Sequence, residues 1–350
     1  MPTTVPVTAD NFTRAETDMC LGMLVKRGGG VGHFDHLRQL HSIEGSGVRP
    51  NRDTLYSEAV FDLDAGPVEI TLPGPGDRFL SMLVIDQDHY AVTVVYGGGR
   101  HILTRDQVGT RYVFAAVRIL VDPDDPSDVE QVHALQDQII ASQPSSGSFE
   151  VPSWDQASQK QVRDALLSLS STLPDLRGWW EPSGGGSGPA SDRDRGRVWP
   201  QSRPGRRLPE RDSQRQRWPA VHRLTVTDVP VDGFWSISVY DAEGHFVKND
   251  RDAYTLNSVT ARRAPDGSVV VQFGGCEDQV ANCLPIFPGW NYTVRLYRPR
   301  PEVLDGTWTF PKPSRPPDPD GMGGEVVLAT HVGDQFLSEL ADERRRHRRA

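Results

Sequence analysis

Two stretches of the chain alternate apolar and polar residues in short runs that end at Gly, Pro, Asn or Asp. The first stretch contains LYSEAVFDLD, VEITLP, RFLSMLVID, HYAVTVVY and RYVFAAVRILVD, and the second contains HRLTVTDVPVDGFWSISVYDAEGHFV, GSVVVQFGG and NYTVRLYRPR. Runs of this length without intervening helices are typical of strands in antiparallel sandwiches or jelly rolls. The pattern therefore predicts a mainly β protein with two β-sandwich or jelly-roll domains joined by a helical connector.

Helical spacing replaces this alternation in three segments. The first covers 10–27 and ends at a run of three glycines. The second is PSDVEQVHALQDQIIASQ at 126–143, for which Ser127 or Asp128 is the expected N-cap. Its apolar face consists of Val129, Val132, Leu135 and Ile139. The third follows directly and ends near Pro174.

These patterns divide the chain into five parts. The predicted N-terminal β domain covers 1–125, a helical connector covers 126–178, and the predicted C-terminal β domain covers 221–311. An anomalous segment at 179–220 separates the connector from the second domain. A Pro/Gly-rich linker with a basic end, 312–350, forms the tail. Both the segment and the tail are expected to be disordered, because they contain too little apolar surface to offset the entropy of ordering.

The anomalous segment has the composition of a GC-rich gene read in the wrong frame. After Ser191 it contains nine arginines and no lysine. With a suitable choice of synonymous codons, reading one nucleotide later turns 192–197 into IGTAAG and 206–219 into AVYLNVTPSANDG, which reads as a strand entering a turn. We therefore interpret the segment as lying between two compensating frameshifts, near Trp179 and Ala220. A natural Arg/Gly/Pro-rich insert is the alternative.

The totals exclude several classes of protein. A net charge of −9 argues against a nucleic-acid partner, since phosphate binding needs a basic surface. No run approaches the ~18 apolar residues of a membrane span, and the N-terminus lacks the pattern of a signal peptide. Three cysteines are too few for a disulfide framework. We therefore expect a cytoplasmic protein without a membrane partner.

Long motifs give the chain a family resemblance. RPNRDTLYSEAVFDLDAGPVEITLP followed by RFLSMLVIDQDHY resembles the family called domain of unknown function 1254. VPVDGFWSISVYDAEGHFVKNDRDAYTLNS and GGCEDQVANCLPIFPGWNYTVRLYRPRPEVLDGTWTFP are similar to its usual partner, domain of unknown function 1214. The resemblance covers roughly 7–177 and 221–311, and the shifted-frame text is similar to the opening of the second family. It implies two β-sandwich or jelly-roll domains, often in oligomers, and no established reaction.

The motif PNRDTLYS concentrates polar side chains at the entrance of a predicted strand. Asn51, Arg52, Asp53, Thr54 and Tyr56 could converge on a small anionic or hydroxylated ligand. In the alternative interpretation Asn51 and Asp53 cap the turn, and Arg52 pairs with a carboxylate.

A second polar group follows the apolar strand that ends in VIDQDHY. Asp86, Asp88, His89 and Tyr90 lie at this end. His89 could act as a general base supported by Asp53, Asp86 or Asp88, with Tyr90 in contact with a ligand. The alternative is a hairpin rim whose aspartates accept hydrogen bonds from backbone amides.

The remaining histidine, cysteine and glycine motifs give no specific evidence of a metal, redox or catalytic site. His33, His36 and His41 match no standard zinc spacing, so we predict no metal site and no cofactor. Cys276 and Cys283 flank a predicted loop, and a cytoplasmic setting favours free thiols over a disulfide. The chain contains no G-x-S-x-G elbow, no P-loop and no G-x-G-x-x-G after a strand.

Three functional hypotheses follow from these observations. The first is binding of a small molecule at a pocket in or between the β domains. The second is a metal-independent hydrolase or lyase with His89 as general base. The third is a structural subunit of a homo-oligomer.

Overall fold

The computed structural model describes residues 4–45, 47–170, 220–277 and 280–313. Residues 171–219 and 314–350 lie outside these ranges. The predicted disorder of the anomalous segment and of the tail, and the frameshift interpretation, therefore concern residues that the structure does not describe.

The chain divides into two compact units. The first comprises Met1–Leu40 and Thr54–Gln201, and the second comprises His41–Asp53 and Ser202–Ala350. The chain thus contributes a short segment, His41–Asp53, to the second unit before it returns to the first. The boundaries predicted from the sequence do not include this contribution.

In the first unit, two antiparallel sheets share one hydrophobic core. The larger sheet has the order β1-β2-β7-β4-β5, and the smaller has the order β6-β3-β8. Apolar side chains from both sheets form a single buried cluster, which is the layering of a sandwich. The strands are β1 (Asp35–Leu37), β2 (Thr54–Asp62), β3 (Val68–Leu72), β4 (Leu80–Asp86), β5 (Ala91–Tyr96), β6 (Gly99–Leu103), β7 (Tyr112–Leu120) and β8 (Ile140–Ser142).

Burial along the strands follows the position of each strand in its sheet. In β3 the side chains of Val68, Ile70 and Leu72 are buried and alternate with half-buried Glu69 and Thr71. The central strands β2, β4 and β7 are buried throughout, so both faces of the larger sheet are covered.

The described residues of the first unit also form four α-helices and a short 3-10 turn. They are α1 (Phe12–Gly28), α2 (Arg105–Val108), α3 (Pro126–Asp137) and α4 (Gln156–Ser170), with the 3-10 turn at Leu63–Ala65. The glycine run ends α1 as expected, because Gly29 takes a left-handed backbone conformation with φ 81°.

The prediction for the second helical segment was wrong at both ends. The N-cap of α3 is Asp125, whose side chain accepts a hydrogen bond from the amide of Ser127. The helix ends at Asp137, and residues 140–142 form strand β8 instead of another helical turn. Pairing of β8 with β3 outweighs the helical spacing of these residues.

The second unit also places one core between two sheets. Their orders are β11-β10-β14 and β13-β12-β9, and buried residues of both form one cluster. All the strand pairs are antiparallel except β12 and β13, which are parallel. The elements are β9 (His222–Val226), β10 (Trp235–Tyr240), β11 (Thr255–Asn257), β12 (Val269–Phe273), β13 (Cys283–Leu284), β14 (Asn291–Leu296) and α5 (Pro301–Leu304).

The expected mainly β class is confirmed. A jelly-roll strand order stays a prediction. No helix in the described ranges is long and apolar enough to cross a membrane.

The cysteine pair departs from expectation. Cys276 and Cys283 form a disulfide, so the prediction of free thiols was wrong. The extended backbone of β13 beside β12 brings the two residues to a Cα–Cα distance of 5.5 Å, which suits a disulfide.

Candidate functional site

The turn that follows β4 holds four of the residues singled out from the sequence. The amide of Tyr90 donates to Oδ1 of Asp86 at 2.8 Å, and the amide of His89 donates to the carbonyl of Asp86 at 3.0 Å. Asp86 therefore accepts a backbone amide, as the hairpin-rim alternative expects. His89 has a left-handed backbone with φ 65°, a strained conformation for a residue other than glycine.

Helix α1 packs polar side chains against this turn. Arg14 donates to Oδ1 of Asp88 from Nε at 3.0 Å and from Nη2 at 2.7 Å. Asp18, one helical turn later, is buried and accepts hydrogen bonds from Gln87 Nε2 at 2.7 Å and Trp154 Nε1 at 3.0 Å. We call Arg14, Asp18 and the turn residues 86–90 the helix–turn cluster.

Burial sets the protonation behaviour of the helix–turn cluster. It raises the pKa of Asp86 to about 6; the neighbouring Asp88 charge adds to this rise, whereas the Tyr90 amide and Arg14 oppose it. Burial also raises the pKa of Asp18, against the hydrogen bonds from Gln87 and Trp154. It lowers the pKa of His89 well below its usual range. The imidazole is therefore neutral at neutral pH, and Asp86 exchanges its proton near pH 6.

Sequence reasoning missed Arg14, Asp18 and Gln87. A signal was present, because Arg14 and Asp18 are four residues apart on one face of a predicted helix. The three consecutive polar residues 16–18 are all buried, which breaks the ordinary apolar stripe of a packed helix.

In the second unit, Asp53 lies in a fully buried polar network. Its Oδ1 accepts from Thr255 Oγ1 at 3.3 Å, and its Oδ2 accepts from Tyr297 OH at 3.5 Å. Burial raises the pKa of Asp53, and the charge of Arg295 opposes that rise. The carboxylate is enclosed by protein on all sides in this structure.

Arg295 is the centre of the same network. It donates to Ser238 Oγ at 3.1 Å, to Tyr240 OH at 2.9 Å and to the carbonyl of Arg49 at 2.7 Å. Tyr240 OH in turn donates to the carbonyl of Pro50 at 2.8 Å. These bonds fasten the segment His41–Asp53 to the polar face of β10 and β14; we call them the Asp53–Arg295 network.

The other residues of the PNRDTLYS motif are divided between the units. Asn51 Oδ1 accepts the amide of Asp53 at 2.8 Å, which is the capping role of the alternative interpretation. Arg52 donates to the carbonyl of His41 and lies over the Tyr254 ring at 5.5 Å. Thr54 and Tyr56 belong to β2 of the first unit, where both are buried.

A cavity of about 330 Å³ opens in the second unit. We call it the β9–β12 cavity, because it lies between the end of β9, the start of β10 and the start of β12. Sequence reasoning missed it, because its walls come from segments that only the fold brings together. The lining residues are Val226, Thr227, Asp228, Val229, Val231, Gly233, Trp235, Ser258, Arg263, Asp266, Gly267 and Val269.

Each of the histidines considered for a metal has its own contacts. His33 Nε2 lies 2.7 Å from the carbonyl of Gly28, and His36 Nδ1 lies 2.8 Å from Ser57 Oγ. His41 belongs to the second unit. No group of three or more His, Cys, Asp or Glu side chains in the described part of the chain could hold a metal ion.

These features define a class: a β-rich protein of two units, with a buried or half-buried polar cluster in each and a cavity in the second. Residues 31–108 match the family described as Protein of unknown function (DUF1254), and residues 208–301 match the family described as Protein of unknown function (DUF1214). The resemblance and the order of the two regions are confirmed. The second match begins inside the anomalous segment.

One solved structure supports the fold. The VPA0106 protein from Vibrio parahaemolyticus matches with a TM-score of 0.62 at 16% identity, over 88% of this chain and 98% of its own. At this identity the match shows a shared fold alone. An uncharacterized protein from Burkholderia cenocepacia matches with a TM-score of 0.43 at 12% identity, over 81% of this chain and 82% of its own, which is too low to carry an argument. No curated protein matches the chain.

Proposed function

We propose that this protein binds a small molecule in the β9–β12 cavity. The observation that supports the proposal is the cavity itself, whose volume of about 330 Å³ lies at the lower end of the range for ligand pockets. Its walls combine valine side chains and Trp235 with a few charged and hydroxyl groups. The accessible surface of the wall is mainly polar, so polar contacts would supply much of the affinity and the apolar side chains would shape the site.

A screen of small organic fragments against the full chain tests this proposal. Binding is read from the amide resonances of Gly233 and Gly267, two residues of the cavity wall. Thr227→Trp fills the cavity from an exposed position and should abolish the fragment-induced shifts. Thr225→Trp is the matched control, since Thr225 is an exposed β9 residue outside the cavity. Fragments that bind the Thr227→Trp variant as they bind the wild type would contradict the proposal.

Acid–base chemistry at the helix–turn cluster is the second candidate, as a metal-independent hydrolase or lyase. The observation that favours it is Asp86, whose pKa of about 6 suits a group that exchanges protons near neutral pH. His89 beside it is neutral, and the burial that lowers its pKa makes it a weak base. Asp88 pairs with Arg14, so its expected role is electrostatic.

Hydrolysis of p-nitrophenyl acetate between pH 5 and pH 8 tests the hydrolase. We expect Asp86→Asn to remove the inflection near pH 6. Asp106→Asn, an exposed carboxylate on α2, is the control. A wild-type rate equal to that of buffer, or an unchanged pH profile in Asp86→Asn, would count against this candidate.

Location and assembly stay predictions. The expectation of a cytoplasmic protein is opposed by one observation, the Cys276–Cys283 disulfide, because disulfides persist mainly in oxidising compartments. Alkylation of protein taken directly from its native source distinguishes a cytoplasmic location from an oxidising compartment, because only reduced cysteines react. Sedimentation velocity tests the predicted homo-oligomer, and a monomer at working concentration would exclude it.

We also propose that the anomalous segment is out of frame. The support is its composition, with nine arginines and no lysine after Ser191. Resequencing codons 175 to 225 decides the point: a frame that restores IGTAAG and AVYLNVTP supports the proposal, and confirmation of the printed sequence overturns it.

A further inference from the structure

Three ionisable side chains line the β9–β12 cavity, and two of them are carboxylates. Asp228, just after β9, is exposed and has a left-handed backbone with φ 47°. It makes no hydrogen bond or ion pair with any residue that the structure describes. Its negative charge is therefore available to a ligand in the cavity.

Asp266 supplies the second negative charge. Its Oδ1 accepts from the amide of Ser268 at 3.0 Å and from Ser268 Oγ at 2.7 Å. These hydrogen bonds lower the pKa of Asp266, so the carboxylate stays ionised at neutral and mildly acidic pH.

Arg263 is the positive group, and backbone carbonyls already hold it. Nη1 donates to the carbonyl of Gly267 and Nη2 donates to the carbonyl of Ser258, each at 3.1 Å. The guanidinium therefore bridges two loops of the cavity wall. Its charge offsets one of the two carboxylates and leaves a surplus of one negative charge at the cavity.

Apolar side chains form part of the remaining wall, beside the hydroxyl groups of Thr227 and Ser258. Val226, Val229, Val231 and Val269 offer aliphatic contacts, and Trp235 adds an aromatic surface. The lining thus favours a ligand with a positive group and a short apolar body.

We propose that the β9–β12 cavity takes a small organic cation, an amine or quaternary ammonium compound with a short aliphatic body. This inference rests on the proposed function and adds to it the charge of the ligand. The surplus carboxylate, the loop-bound Arg263 and the valine side chains in the lining support it together.

Three probes of nearly equal size and shape test the proposal on the full chain. They are 3-methylbutan-1-amine, which is cationic at pH 7, 3-methylbutan-1-ol, which is neutral, and 3-methylbutanoate, which is anionic. Dissociation constants come from titrations followed at the amides of Gly233 and Gly267. We expect the amine to bind roughly tenfold more tightly than the alcohol, and the carboxylate to bind most weakly.

Two variants locate the charge effect. Asp228→Asn and Asp266→Asn should each weaken binding of the amine by roughly three- to tenfold and leave binding of the alcohol unchanged. Asn tolerates the left-handed backbone of position 228 and keeps an acceptor for Ser268 at position 266. Asp232→Asn is the matched control, because Asp232 pairs with Arg300 and does not line the cavity.

The outcomes separate the two proposals. If the alcohol or the carboxylate binds as tightly as the amine, the inferred ligand class is wrong and the binding function stands. If Asp232→Asn weakens the amine as much as Asp228→Asn does, the cavity charges are not responsible and the inference falls. If none of the probes shifts the cavity amides and the fragment screen also fails, both proposals fall.

Discussion

The helix–turn cluster and the Asp53–Arg295 network are built from similar residues and differ in their access to water. In the first, Arg14 and Asp88 keep 35% and 31% of their side-chain surface exposed, and His89 is half-buried. In the second, Asp53, Ser238 and Arg295 expose 2% or less. At the helix–turn cluster, solvent reaches Arg14, Asp88 and His89, while Asp86 and Asp18 expose only 8% and 1% of their surface.

Residue type alone therefore does not tell whether a polar cluster is partly open to solvent or buried. Both clusters contain an aspartate whose pKa burial raises. In the Asp53–Arg295 network the side-chain partners bind the segment His41–Asp53 to the sheet. In the helix–turn cluster the bonds hold a strained turn at the surface. Access to solvent distinguishes them, because each contains a residue with a left-handed backbone, His89 in one and Arg49 in the other.

The largest expected effect comes from breaking the buried network. Arg295→Met removes the charge that opposes burial of Asp53 and the donors to Ser238 and Tyr240. We expect the second unit to lose about 3–5 kcal/mol of unfolding free energy in guanidinium titrations. Arg300→Met, at an exposed ion pair, is the control and should have no measurable effect. Equal midpoints for both variants would show that the network is not structural.

A smaller effect is expected at Asp86, and it depends on pH. Because the folded pKa of about 6 lies above the usual range, the folded state binds the proton more tightly, and stability is lost as pH rises through 6. Asp86→Asn should therefore be more stable than the wild type at pH 8 by about 2 kcal/mol, with the difference vanishing below about pH 4. Thermal melts at both pH values measure this, and a difference independent of pH would contradict it.

The dependence of stability on pH should have the opposite sign for His89. Its folded pKa is depressed, so the stability linked to its neutral form is present above the ordinary pKa of histidine and is lost as pH falls. His89→Asn, which suits a left-handed backbone, should lose less stability than the wild type between pH 7 and pH 5. Melts across this range provide the measurement. A variant as acid-sensitive as the wild type would show that His89 does not contribute to the loss of stability in acid.

The smallest effect is expected at the exposed ion pair. Arg14→Met breaks the bonds to Asp88, and a pair with about a third of its surface in water contributes about 0.5 kcal/mol. We expect this loss to shrink in 0.5 M salt, since ions screen exposed charges. A loss above about 2 kcal/mol would show that the Arg14–Asp88 pair contributes to stability as a buried ion pair does, and would contradict the contrast with the Asp53–Arg295 network.

Local pattern predicted the strands well, and contacts between distant segments escaped it. The alternation of Val68, Ile70 and Leu72 predicts β3 directly, because each strand residue faces one side of a sheet. Residues 140–142 were misjudged, because their strand depends on the neighbouring β3 rather than on their own spacing. Asp53 accepts a hydrogen bond from Thr255, which is 202 residues away in the sequence, so only the folded structure reveals that Asp53 is buried. Asp228 is likewise distant in sequence from Arg263 and Asp266, so only the folded structure shows that all three line one cavity.

The segment His41–Asp53 belongs to the second unit, which is therefore discontinuous in sequence. A fragment cut at either the predicted boundary of 221 or the start of the family match at 208 lacks His41–Asp53. Its β10 would present Ser236 and Ser238, and its β14 the guanidinium of Arg295, to water that the whole protein excludes. Gene fusion or shuffling of the second unit alone would therefore transfer an incomplete fold, so the two units are expected to be inherited together.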